Sequence, residues 1–206
     1  MLKRLLDIAG AASALLLLSL ILATVALAIR LLLGRPVLFK QTRPGYLEKP
    51  FTIYKFRTMR KAVDSQGHSL RDGERLQPLG TFLRRTSLDE LPEFWNVLRG
   101  DMSLVGPRPL LMKYLPFYTE EERIRFKVRP GITGWAQVNG RNEASWDDRL
   151  RRDIWYVQHQ SLLLDIRVLL ITITKVVKSE HVVVDAHSIM LNLDEERAGV
   201  KVGHEQ

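Results

Sequence analysis

Residues 8–29 read IAGAASALLLLSLILATVALAI, a run of 22 positions without a charged side chain. As one straight α-helix it would measure about 33 Å, enough to cross a bilayer hydrocarbon core of about 30 Å. The run predicts a membrane-inserted segment within residues 1–34. A cleaved signal peptide also places basic residues, here Lys3 and Arg4, ahead of an apolar stretch. This stretch is longer than a typical signal core, however, and Arg30 with LLLGRPVLF follows it in place of a small-x-small cleavage site. Positive charge flanks both ends: Lys3 and Arg4 before, then Arg30, Arg35, Lys40 and Arg43 after. A spanning helix usually shows an asymmetry of such charge, so two basic ends suit a re-entrant hairpin that leaves on the face it entered. Against that, no proline lies between Met1 and Arg35, and Ser13 and Ser19 bend a helix only weakly, so a straight spanning helix stays open. Asp7 is expected to pair with Lys3 and Arg4.

A chain of 206 residues holds one domain with a real core. Its 31 Lys plus Arg against 23 Asp plus Glu leave a net charge of +8, which favours anionic partners: phosphate esters, acidic lipid or nucleic acid. The absence of cysteine excludes disulfides, thiolate metal sites and a Cys nucleophile, and the five histidines show no H-E-x-x-H spacing, which speaks against a zinc enzyme.

The composition turns mixed after Gly34, so the cytosolic part is expected over 35–191. PVLFKQTRPG and FTIYKFRTM read as a β-hairpin, and the polar stretch 61–75 as a loop. Helical patterns cover 79–85, 91–98, 113–127, 147–158 and 161–179. The last is either a core helix or one lying in the headgroup plane. Residues 192–206 read as a flexible tail. The fold class expected is α+β, mainly helical: a membrane helix, a small cytosolic domain with a β-hairpin, and interfacial amphipathic helices.

The chemistry concentrates in RRTSLDELPEFWNVL, residues 84–98, where Asp89 and Glu90 stand side by side. Ser87 and Glu90 fit the S-x-x-E capping box, yet Pro92 would then fall at the fifth helical position and break an internal hydrogen bond. With Asp89 as the cap, Pro92 takes the third position, where its missing N–H costs nothing, and the carboxylate sits at a helix N-terminus. Arg84, Arg85 and Arg99 surround the acids, and GDMSLVGPRP follows with Pro107 and Pro109 fixing the backbone around Arg108. Acids and arginines so placed suit a divalent cation and a phosphate meeting at one site, with an ordinary salt-bridge network as the competing reading.

KFRTM, SLDELPEFWNVLRGDMSLVGPRP and RPGITGWAQVNGRN, in this order behind one apolar segment, resemble the bacterial sugar transferases, the monotopic phosphoglycosyl transferases. The similarity runs from Lys3 to Lys178 and is closest to the small minimal-core members, such as the diacetylbacillosamine phosphotransferases. The resemblance implies a two-step transfer at the cytoplasmic face of the bacterial inner membrane. Asp89 would attack the β-phosphate of a UDP-sugar, release UMP and carry the phosphosugar covalently, and polyprenol (undecaprenyl) phosphate would then take it. By the same resemblance Asp89 and Glu90 would hold Mg2+, and Lys55, Arg57, Arg84 and Arg108 would face substrate phosphates. Arg129 and Arg141, in the loop read as the nucleotide-recognising one around a buried Trp135, would add charge there. Asp153 and Asp165 match two further family acids, with helix-surface pairing to Arg149, Arg152 or Arg167 as the alternative. The family's Ser-Pro helix break is missing at Ser19-Leu20. The resemblance favours an N-acetylated or diacetylated amino sugar as cargo, with galactose or glucose left open because no residue is assignable to the sugar ring.

A membrane-tethered basic protein that binds anionic lipid or nucleic acid without chemistry is the reading from another class. It leaves Asp89, Glu90 and Arg108 unused, and nucleic acid would call for a basic stripe with stacking aromatics, which the sequence does not show.

Overall fold

A computed structural model describes residues 1–60, 75–140, 145–178 and 192–198. The expected loop at 61–74 and Arg141 lie outside them.

The apolar run forms two helices, α1 (Leu2–Leu17) and α2 (Ser19–Leu32), bent by 62° at Leu18, whose ψ of 8° leaves the helical range. No single helix among the described residues is long and apolar enough to cross a membrane; the bent pair passes that test together. The break forms without proline; Leu17 and Leu20 beside it are 79% and 78% exposed, while Leu18 itself is half-buried. Only one face of the pair is buried, through Asp7, Ala11, Val25 and Ile29. Asp7 does not pair with Lys3 or Arg4. It accepts from the Ser103 hydroxyl and the Leu104 N–H, both at 3.0 Å, while Lys3 reaches Asp165 at 2.7 Å and Arg4 reaches the Leu98 carbonyl at 3.0 Å. A buried carboxylate that accepts two donors needs no cation of its own.

The hairpin forms where its alternation predicts it. β1 (Leu38–Pro44) pairs antiparallel with β2 (Pro50–Phe56), from Leu38 opposite Phe56 to Pro44 opposite Pro50. Arg57, just past β2, folds back on the end of α2: its guanidinium donates to the carbonyls of Leu33, Gly34 (2.8 Å) and Arg35 (3.1 Å). Those carbonyls have no helical partner, and a buried cation satisfies them.

α3 (Pro78–Arg85) starts on a proline, which costs nothing at a first helical position, and α4 (Glu93–Arg99) ends on Gly100 in the left-handed region. β3 (Ser103–Val105) and β4 (Gly131–Thr133) pair in parallel. Their crossing behind Arg108 depends on glycine, since a Cβ on Gly131 would lie 2.1 Å from the Gly106 nitrogen.

The helix expected over 113–127 is instead two 3₁₀ segments, Met112–Phe117 and Glu122–Lys127. Pro116 removes a donor from the first. Thr119 and Glu122 then exchange side-chain to backbone bonds of 3.3 and 2.8 Å, starting the second afresh. α5 (Trp135–Asn139), α6 (Trp146–Gln158) and α7 (Leu162–Val177) follow. α7 exposes Leu163, Ile166, Leu170, Ile173 and Val176 along one face and buries Val168 on the other. Trp135 is half-buried, stacked on Trp155 at 4.7 Å, where a buried ring was expected.

Part of the expected flexible tail is ordered. Asn192 and Glu195 form a capping box for α8 (Leu193–Arg197), and Leu193 is fully buried against Tyr114, Tyr118, Phe126, Trp146 and Leu150. One buried leucine and charged flanks carry no periodic signal in a five-residue helix, which is why the sequence reads as tail.

Candidate active site

Neither capping reading of the acidic pair is realised. Ser87 takes a left-handed conformation (φ 56°), Leu88–Glu90 make a single 3₁₀ turn, and Pro92 itself is the N-cap of α4. The chain thus turns twice within six residues, and the turn sets Asp89 and Glu90 on the rim of a cleft of about 1370 Å³. Asn96, fully buried on α4, fixes this turn against the hairpin: its amide donates to the Thr52 carbonyl at 2.7 Å and its oxygen accepts from the Tyr54 N–H at 3.1 Å. That clamp brings Lys55, the next residue of β2, to the acids.

Lys55 Nζ lies 2.5 Å from Glu90 Oε1 and 3.1 Å from Glu93 Oε1, and Arg108 Nη2 reaches the same Glu90 oxygen at 2.5 Å. Burial pushes the Glu90 carboxyl up, but Arg108 and Lys55 outweigh it and hold it to about 2. Glu93, 1% exposed, is pushed up to about 7 by burial and by the charge of Glu90, with Lys55 opposing. Asp89 is raised to about 6, first by burial and then by Glu90, against the pull of Lys55, Arg108 and Arg84. The acids therefore divide: Glu90 is a permanent anion that organises two cations, and Asp89 is a carboxylate kept short of stabilisation. A carboxylate whose charge is poorly compensated is the better nucleophile.

Arg108 is held from behind as well. Arg125, 3% exposed, donates to the Arg108 carbonyl at 2.7 Å, to Asp153 at 2.8 Å and to the Tyr118 hydroxyl at 3.0 Å. Asp153 thus reaches the site by a long-range buried pair, and not by the helix-surface pairing its neighbours suggest. Arg84 lines the cleft, with Nε on the Thr58 hydroxyl at 3.1 Å.

Arg57 lines the cleft, but its guanidinium donates to the carbonyls at the end of α2. Two expected residues stand elsewhere. Arg129 is exposed, bonded to the Gly100 carbonyl at 2.8 Å and set over the Tyr46 ring, and it does not line the cleft. Asp165 ties α7 to Lys3 and accepts from the Tyr156 hydroxyl at 2.6 Å. Conversely, the fold adds Glu93, Asn96 and Arg125 to the site. Glu93 follows Glu90 by one helical turn, a spacing that could have flagged it. Arg125 sits among other charges, and nothing local marks it as buried.

Among the described residues no group of three or more His, Asp or Glu side chains converges as a metal cluster. The residues that could hold Mg2+ are Asp89 and Glu90, since one or two acids suffice at a diphosphate site where the cation's other ligands are water and substrate oxygens.

The profile of the bacterial sugar transferase family matches residues 1–179. The chain belongs to that family. Among its sugar transferase relatives, the protein named "Uncharacterized sugar transferase EpsL" of Bacillus subtilis (strain 168) is 52% identical over 179 residues, 87% of this chain and 89% of that one. The UDP-glucose:undecaprenyl-phosphate glucose-1-phosphate transferase of Escherichia coli (strain K12) is 42% identical over 185 residues, 85% of this chain and 40% of that one. The undecaprenyl-phosphate glucose phosphotransferase of Komagataeibacter xylinus is 41% identical over 193 residues, 87% and 36% respectively. This sugar transferase chain therefore spans most of EpsL and less than half of the two longer relatives.

Proposed function

We propose that this chain transfers a phosphosugar from a UDP-sugar to a polyprenol phosphate through an aspartyl intermediate. The observation that carries the proposal is the placing of Asp89 at one cleft beside Lys55 and Arg108, the two cations that Glu90 holds. An Asp89 carboxylate oxygen forms a bond to the β-phosphorus while the bond from that phosphorus to the bridging oxygen breaks, and UMP leaves with that oxygen. A phosphate oxygen of the lipid acceptor then attacks the same phosphorus, displaces Asp89 and yields polyprenol diphosphate sugar. Lys55, Arg84 and Arg108 bind and orient the diphosphate, which lowers the repulsion an anionic nucleophile meets. Asp89 and Glu90 would hold Mg2+, which when bound neutralises charge on the diphosphate.

The Escherichia coli relative acts, by name, on UDP-glucose and undecaprenyl phosphate, and the Komagataeibacter xylinus relative on undecaprenyl phosphate, which supports the donor and acceptor classes. A lipid acceptor also accords with the surface. The exposed leucines of α1 and α2 and the apolar face of α7 suit a re-entrant hairpin and an interfacial helix at the cytoplasmic face of the membrane, where nucleotide sugars are found.

The test is intact-protein mass spectrometry of the detergent-solubilised chain with Mg2+ and a panel of UDP-sugars, without acceptor. The panel includes glucose, galactose and N-acetylated amino sugars. The expected result is a phosphosugar adduct with stoichiometric UMP, absent in Asp89→Asn. UMP formed only after polyprenol phosphate is added would show direct attack by the lipid and overturn the covalent step.

A further inference from the structure

The family profile ends at residue 179, and α8 lies beyond it, yet α8 is fastened to the body more firmly than a terminal turn needs. Leu193 is fully buried among Tyr114, Trp146 and Leu150. Arg197 grips Glu122 with two bonds of 2.6 and 2.8 Å, Asp147 at 2.8 Å and the Phe117 carbonyl at 3.0 Å. Lys113 pairs with Asp194 at 2.8 Å, and the Tyr114 hydroxyl donates to Asn192 at 3.1 Å. These contacts join both 3₁₀ segments and the start of α6 to one short helix.

The same elements form one side of the cleft. Asn192 lines it together with Trp146, Arg149, Leu150 and Asp153, all four from α6. The Arg149 guanidinium lies over the Trp146 ring at 5.4 Å, and Trp146 meets the Tyr114 ring edge-on at 5.5 Å. Trp146 is buried, so what this side offers the cleft is the Arg149 guanidinium held over the indole, a cation suited to an anionic ligand such as a nucleotide.

We propose that residues 192–198 support one wall of the cleft, to which Asn192 itself contributes, and hold the α6 side in the shape that admits the nucleotide sugar. The proposal rests on the function argued above and adds to it a determinant of donor binding. Removing that support weakens binding of the donor and leaves the carboxylate chemistry in place, because neither Asp89 nor Glu90 touches it.

The experiment compares the full chain with Leu193→Asp, which expels the plug, and with Arg197→Ala and Arg197→Lys. Donor KM and kcat are read from UMP release, alongside amide hydrogen exchange over 146–158 without substrate. Leu193→Asp is expected to raise donor KM about tenfold with kcat within about twofold, and to speed exchange in α6. Arg197→Ala should act in the same direction, and Arg197→Lys should recover part of the loss. Unchanged KM despite faster exchange would overturn the proposal, as would equal losses of stability and kcat with KM intact, the mark of a mere brace. Unchanged exchange would overturn it too, since the segment would not be docked in solution. Failure of the wild-type chain to release UMP from any donor would instead defeat the functional reading, and the inference with it.

Discussion

Replacing Asp89 by asparagine should abolish transfer and, at neutral pH, make the protein more stable. The side chain keeps its size and loses its charge. Burial and the neighbouring Glu90 charge hold the Asp89 carboxyl at about 6 in place of 3.8, so its ionised form costs the fold about 3 kcal/mol at pH 7. That cost is already net of the attraction to Lys55, Arg108 and Arg84; burying the neutral amide gives back about 1 kcal/mol, leaving a gain of roughly 2 kcal/mol. For a chain of this size that corresponds to roughly 4–8 °C in Tm. The sign with pH follows from the raised value. The cost is fully present above about pH 6, fades as pH falls towards 3.8, and is gone where folded and unfolded states are both protonated. Thermal unfolding of wild type and variant in detergent, at about pH 7.5 and again at about pH 4.5, reads this directly. A variant no more stable than wild type at neutral pH would refute the reasoning, and so would a gain that does not shrink on acidification. Either result would mean that Asp89 is not held short of stabilisation, and the case for it as the nucleophile would weaken.

The same raised value predicts that kcat/KM for UMP release climbs through a midpoint near 6 and falls about tenfold for each pH unit below it. Lys55→Met should move the midpoint upward, since Lys55 holds Asp89 down; a rate that is level to pH 4.5 would contradict the assignment. Arg57→Ala should cost about 2–3 kcal/mol of stability by orphaning the carbonyls at the end of α2, with donor KM unchanged. A rise in KM at constant stability would return Arg57 to phosphate binding. Arg125→Met leaves Asp153 buried without its cation and should cost about 3–5 kcal/mol, while Arg125→Met with Asp153→Leu should recover most of it. A double variant no better than the single one, by thermal unfolding, would show that the lone charge is not what destabilises.

Much of this was legible along the chain because the signals are local. The apolar run announces itself by length, the hairpin by its alternation, and the long helices by apolar spacing. The acids, Lys55, Arg84 and Arg108 could be named together because short motifs carry them. What failed were statements about partners. Arg57 and Arg129 look like the other arginines in sequence, and only the fold shows one capping α2 and the other lying over Tyr46. Asp7, Asp153 and Asp165 each find a partner far along the chain, whereas spacing could offer only neighbours.

From the chain alone it can be read that an apolar segment precedes a mixed α and β domain, and that one short stretch sets two acids among arginines. The tertiary structure alone decided three things: the elbow at Leu18 without proline, the division of Asp89, Glu90 and Glu93 into unequal acids, and the docking of α8. The reason is common to all three. Backbone periodicity is set by neighbours within a few residues, while burial and electrostatic compensation are set by whatever the fold brings alongside, and at this site those groups come from β2, the turn before α4, and the loop at Arg108.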